Sequence, residues 1–158
     1  MPKTLKTQVK ELAYLTFLDI SVQLTGFNMN ELLSTGMHET YYYTIMKDPN
    51  QDNVRAFFNE AQKILDDCGI DEKCLHNEIG NRLIPEDKFE MLAKRIILVW
   101  YTGMWNELGK DEKGKPVLIG TMISGDSYSE GLIWSAAETH PAGAKQPGYG
   151  SWAIAPLP

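Results

Sequence analysis

The stretch Phe89 to Trp105, FEMLAKRIILVWYTGMW, constrains this chain more than any other. Phe89, Leu92, Ile96, Ile97, Trp100 and Met104 recur at the spacing of one face of an α-helix. Val99, Tyr101 and Trp105 are apolar as well and lie off that face. A helix that is apolar on more than one side has to be covered on more than one side. The pattern therefore predicts a central helix over 86–105 with other helices packed around it. Pro85-Glu86-Asp87 suits its start, since proline fits the first turn and acids favour the positive end of the helix dipole.

The flanking sequence supplies those other helices. Val9 to Leu24 carries two apolar stripes, one through Ala13, Phe17, Ile20 and Leu24, the other through Leu12, Leu15, Leu18 and Val22. Thr25-Gly26 ends it, because glycine readily takes the left-handed conformation after a helix. Asn28 or Asn30 can cap a second helix over Glu31 to Met46, in which Leu33, Met37, Tyr41 and Ile45 repeat every four residues. Gly36 falls inside that span, at a cost of about 1 kcal/mol relative to alanine, and marks a place for a close neighbour. Of Tyr41, Tyr42 and Tyr43, at most two can share a helix face. After the turn Lys47-Asp48-Pro49-Asn50, a third helix is expected over Asp52 to Asp67. Val54, Phe57, Phe58, Ala61, Ile64 and Leu65 form its buried face. Asp71 opens a short fourth helix that turns Leu75 and Ile79 inward.

Beyond Trp105 the character changes. Gly109 to Lys115 reads as a charged turn, Pro116 to Ile123 as an extended segment, and Ser124 to Ser127 as the cap of a last helix over Tyr128 to Ala137. From Glu138 onward the prolines and glycines exclude regular structure. The expected fold is thus mainly α. It is a single-domain bundle of about five to six helices, with a helical core over 8–108, an extended segment at 116–123 and an irregular Pro/Gly-rich tail. A charge-poor helix and wrapping tail occupy 116–158.

That closing segment carries most of the functional argument. Only four of the chain's 36 charged side chains, Asp126, Glu130, Glu138 and Lys145, lie beyond Lys115. The same stretch contains Tyr128, Trp134, Tyr149 and Trp152. A solvated tail has the opposite composition. Either the segment folds back over its own core or another protein covers it, because aromatics with depleted charge describe the centre of an interface.

Other function classes find little support. A net charge of −6 over 158 residues offers no basic patch to nucleic acid. No apolar run approaches a membrane span, so direct membrane insertion is not expected. His38, His76 and His140 form no metal-ligand spacing, and the HExxH, P-loop, GxGxxG and GxSxG patterns are missing. Gly143 to Gly150 lacks the GK[ST] ending of a phosphate loop. The acid pairs Asp66/Asp67, Asp71/Glu72 and Glu86/Asp87 sit where helix ends favour acids. No catalytic, cofactor or metal residues are therefore assigned. Cys68 and Cys74, with five residues between them, do not fit CxxC chemistry. They are ordinary thiols or, in an oxidising compartment, a small disulfide at a helix–loop–helix corner.

Three stretches together resemble one family. FLDISVQLTGFNMNELL (Phe17 to Leu33) looks like its opening helix, LTG turn and following leucines. IILVWYTG (Ile96 to Gly103) is similar to its helix ending in Trp-Tyr-x-Gly. SYSEGLIW (Ser127 to Trp134), followed by PGYGSW (Pro147 to Trp152), is similar to its closing helix and Pro-Gly-x-Trp ending. The family is the small subunit of bacterial FAD-dependent sugar and polyol dehydrogenase complexes of the sorbitol, fructose and glucose dehydrogenase type. The resemblance spans most of the chain, apart from a variable middle at about Asp48 to Glu86.

It implies a non-catalytic accessory subunit without a cofactor of its own. Such a subunit stabilises and matures a large flavoprotein of the glucose–methanol–choline (GMC) type, which carries FAD. A multihaem cytochrome c subunit often completes the complex. The family's small subunit also exports its partner through a twin-arginine leader. This chain has only Arg55, Arg82 and Arg95, no arginine pair and no leader. The resemblance implies a periplasmic location if a leader has been cut away; a chain complete as given would stay cytoplasmic. The residues expected to divide between core and partner contact are Trp100, Tyr101, Trp105, Tyr128, Trp134, His140, Tyr149 and Trp152. The competing expectation is a free-standing sugar- or flavin-binding module, with an apolar pocket between central helix and tail and with His140 and Tyr149 as polar handles.

Overall fold

A computed structural model describes residues 5–84 and 87–144. The chain is mainly helical, as the periodicity predicts. Helix α1 (Leu5–Thr25) is followed by α2 (Met29–Ser34), α3 (His38–Ile45), α4 (Gln51–Cys68), α5 (Glu72–Arg82) and α6 (Asp87–Thr102). Then come β1 (Met104–Lys110), β2 (Pro116–Met122), α7 (Gly125–Ser129) and α8 (Leu132–Ala136).

Helix α6 lies at the centre, in contact with α1, α3 and α4 on the body side and with β1 and α8 on the other. Phe89, Leu92, Ile96, Val99 and Trp100 are buried, as are Phe17 and Ile20 of α1 and Val54, Phe57, Ala61 and Ile64 of α4. These side chains form one continuous core. Asn28 caps α2 through a reciprocal bond with Glu31, and Asn50 and Asp71 cap α4 and α5 with their side-chain oxygens.

The structure corrects the expected boundaries wherever a glycine leaves the helical region. The expected helix over Glu31 to Met46 is two helices, because Gly36 has φ +67° and follows the Thr35 cap. No atom lies within 4 Å of where a Gly36 Cβ would stand, so the glycine serves the turn and not a close neighbour. The central helix ends at Thr102, not at Trp105, because Gly103 has φ +70°. Trp105 consequently belongs to a strand, and the helical core stops short of 108. The extended segment at 116–123 exists as β2, paired antiparallel with β1 in the register Trp105 with Thr121 and Glu107 with Ile119. The last helix, expected over Tyr128 to Ala137, is broken into α7 and α8 at Gly131. A Cβ there would stand 2.7 Å from the Tyr101 carbonyl oxygen.

Candidate functional site

The segment after Thr102 folds as a module attached to the end of α6. Two hydrogen bonds converge on its first carbonyl. The Ile123 N–H donates to the Gly103 carbonyl at 3.2 Å, and the buried Ser127 hydroxyl donates to the same oxygen at 2.9 Å. Ser124 and Ser127 cap α7 reciprocally.

The aromatic residues singled out from sequence divide sharply. Trp100 is fully buried within its own chain. It stacks on Phe17, meets Tyr41 edge-on, and donates its indole N–H to Ser21 Oγ at 3.0 Å. It is a core residue and is not available to a partner. Trp105 is also buried and lies beneath the Arg95 guanidinium, 4.1 Å from ring centroid to Cζ. Tyr101 is half-buried, with its ring against Phe27 and its hydroxyl donating to the Thr25 carbonyl at 2.9 Å. These three residues hold the structure together.

Tyr128, Trp134 and His140 stay at the surface. Tyr128 and Trp134 are half-buried and meet edge-on at 5.3 Å, and the Trp134 indole N–H donates to the Tyr128 carbonyl at 2.7 Å. His140 is exposed. Tyr149 and Trp152 lie outside the described residues.

Trp134 and His140 share a groove of about 470 Å³. One wall is Phe27, Glu31 and Ser34 from the α1–α2 corner, and the other runs from Ser129 to Pro141. Two carboxylates, Glu31 and Glu130, and several hydroxyls make this groove polar. This is not the apolar pocket expected between central helix and tail: the groove is polar, no described α6 residue lines it, and it lies between α2 and the closing module with His140 on its wall. Behind it, Tyr41 is fully buried, and its hydroxyl has no hydrogen-bond partner among the described residues. Burial, and then the Glu130 carboxylate, push that phenol well above the ordinary tyrosine pKa, so it stays neutral and offers no base.

Sequence reasoning missed a second feature. Arg95 and Asp48, both more than nine-tenths buried, form an ion pair at 2.6 Å. Arg95 also donates through Nε to the Asn106 carbonyl, and Asp48 accepts the Asn50 N–H at 2.9 Å. The pair walls a cavity of about 240 Å³ with Asn50, Val54, Leu92 and Glu107. It joins the α3–α4 turn to α6 and β1. A charge at position 95 inside an otherwise apolar helix face was the available signal.

Cys68 and Cys74 are joined by a disulfide, Cα to Cα 5.5 Å, at the α4–α5 corner. Arg82 reinforces that corner, with bonds to Glu60, Asp67 and Glu78. Among the described residues no group of His, Cys, Asp and Glu is arranged to hold a metal ion, and no helix is long and apolar enough to cross a membrane. The chain matches no protein-family model, no curated protein and no solved structure.

Proposed function

We propose that this chain is the non-catalytic accessory and maturation subunit of an FAD-dependent sugar or polyol dehydrogenase. In this reading it binds a GMC-type flavoprotein large subunit through its closing module. The flavoprotein supplies FAD as hydride acceptor, and no residue of this chain touches the reacting atoms. A cytochrome c subunit and a periplasmic location belong to the same proposal.

The observation that carries it is the groove rimmed by Trp134 and His140. One of its walls lies in the charge-poor part of the chain and includes α8, the helix that carries the exposed Ile133. A half-buried indole beside an exposed aliphatic residue is the kind of surface on which a partner's aromatic or proline residue anchors. Glu31 and Glu130 would then accept hydrogen bonds from the partner's donors. The disulfide supports an oxidising compartment. The ordered resemblance of three stretches supplies the identity of the partner.

The test is co-expression with a flavoprotein of this type, measuring recovered complex and FAD bound per large subunit. Ile133→Glu and His140→Glu change exposed side chains. Truncating an interface anchor commonly costs about 2 kcal/mol, so recovery should fall more than about tenfold. Unchanged recovery with both variants would count against the docking face. The second reading, a free-standing small-molecule module, draws on the same polar groove. A thermal shift of the lone chain with a sugar or a flavin would favour it.

A further inference from the structure

We propose that two copies of this chain pair along the free edge of β2, antiparallel, about a twofold axis at Ile119. The starting point is which backbone groups of β2 are already used. Ile123 N–H bonds to the Gly103 carbonyl, so residues 103 and 123 are a hydrogen-bonded pair of the ladder. Bonded and non-bonded pairs alternate in an antiparallel ladder. By the observed register, Trp105 with Thr121, Glu107 with Ile119 and Gly109 with Val117 are then the bonded pairs. Leu118, Gly120 and Met122 direct their N–H and C=O groups away from β1. Among the described residues no hydrogen bond reaches them.

The opposite edge of the hairpin is different. The Asn106 carbonyl accepts from Arg95, the Met104 carbonyl accepts from the Asn106 side chain at 3.2 Å, and α6 packs against β1. Among the described residues, the outer edge of β1 is thus engaged at Met104 and Asn106 and that of β2 is open. An open edge recruits a strand.

The open edge is complementary to itself. With the axis at Ile119, Leu118 and the second copy's Gly120 exchange both their hydrogen bonds, and the reverse pair does the same. On the face that carries Ile119, Val117 meets the second copy's Thr121, and the two Ile119 side chains meet at the axis. Three β-branched pairs in a row favour an antiparallel sheet. Ile119 is 54% exposed in the single copy, although its tip lies over Gly109, so pairing covers a side chain that the fold leaves open. Pro116 has no N–H and ends the pairing on each side. Because each β1 edge is engaged, the assembly closes at two copies and does not run on as a fibre.

The test uses the full chain in sedimentation and cysteine cross-linking. Wild type should reach a dimer at micromolar concentration. Ile119→Cys places two cysteines opposite each other at a non-hydrogen-bonded site, where the Cα separation of about 4.5 Å suits a disulfide. It should give a covalent dimer on mild oxidation. Thr121→Cys faces the second copy's Val117 and should not. Ile119→Lys puts like charges at the axis and should raise the dimer dissociation constant at least about tenfold, with an unchanged far-UV spectrum. A wild-type chain that stays monomeric overturns the proposal. So does a dimer that Ile119→Lys leaves intact, or one in which Thr121→Cys cross-links as readily as Ile119→Cys. None of these positions lines the groove proposed for the flavoprotein, so the two readings fail separately.

Discussion

Gly103→Ala should be among the most damaging single-methyl changes in the molecule, and its cost can be worked out from the geometry. Gly103 has φ +70°, where a side chain costs about 1–2 kcal/mol. A Cβ there would stand 2.1 Å from the Ser127 carbonyl oxygen and 2.3 Å from its carbon. Both are backbone atoms, so no rotamer relieves the overlap, and such overpacking adds about 1–3 kcal/mol. Moving the two chains apart also weakens the bonds that Ile123 N–H and Ser127 Oγ make to the Gly103 carbonyl, worth about 1 kcal/mol. The total is about 3–6 kcal/mol. For 158 residues that corresponds to a fall in Tm of roughly 6–24 °C. Gly36→Ala is the control. It has φ +67° but open space around the added Cβ, so it bears the left-handed cost alone. Urea titration of both variants, followed by circular dichroism, measures the difference. If the two agree within about 0.5 kcal/mol, the close approach at Gly103 is not what fixes the module.

Three further outcomes follow from the body of the fold. Asp48→Ala strands a buried guanidinium and should cost about 3–5 kcal/mol by urea titration. Replacing both partners, as Asp48→Leu with Arg95→Met, should cost less than that single change. Reducing the Cys68–Cys74 disulfide frees a loop of sequence separation 6 and should lower stability by about 2 kcal/mol, read as a shift in the urea midpoint with and without reductant. Glu60 is held below the ordinary glutamate value of 4.5, first by the hydrogen bond from Arg82, with burial opposing. A carboxyl more acidic when folded adds stability above its unfolded pKa and loses it as pH falls through the folded value. The stability gap between wild type and Glu60→Gln should therefore be full at pH 7 and close in acid below 4.5; a gap independent of pH refutes that assignment.

The sequence was most legible where apolar spacing alone decides structure. The core-facing residues of α1, α4 and α6 are buried as their periodicity predicts, because those residues need only be apolar and correctly spaced, but the second stripe of α1 is not covered: Leu12 and Leu15 are exposed. The failed boundaries named above were set by glycine backbone, by positive φ at Gly36 and Gly103 and by an extended ψ of 129° at Gly131. Hydropathy continues through Gly36, Gly103 and Gly131, and a spacing argument cannot distinguish a glycine inside a helix from one that ends it. The closing segment was legible as charge-poor but not residue by residue. Trp100 is inside because Ser21 and Tyr41 lie beside it, and Ser21 is 79 residues away. Asp48 read as a turn residue for the same reason, since its partner Arg95 is 47 positions on. Contacts of that range come from how the helices are arranged and leave no local pattern.

The division of the core between body and closing module leads to a last expectation. Among the described residues beyond Gly103, the buried hydrophobic side chains are Trp105 and Leu132; the others belong to α1 through α6 and the turns between them. Regions with few buried apolar contacts open at lower free energy than the molecule as a whole. The body can therefore remain folded while β1, β2, α7 and α8 detach at Gly103. Amides of Trp105, Ile119, Tyr128 and Trp134 should exchange with solvent through one shared opening, well before those of Phe17, Phe57 and Ile96. A partner that binds only the attached module should slow the first group and leave the second unchanged. If both groups exchanged together through global unfolding alone, the module would be an inseparable part of the core, and docking would have no local order to complete.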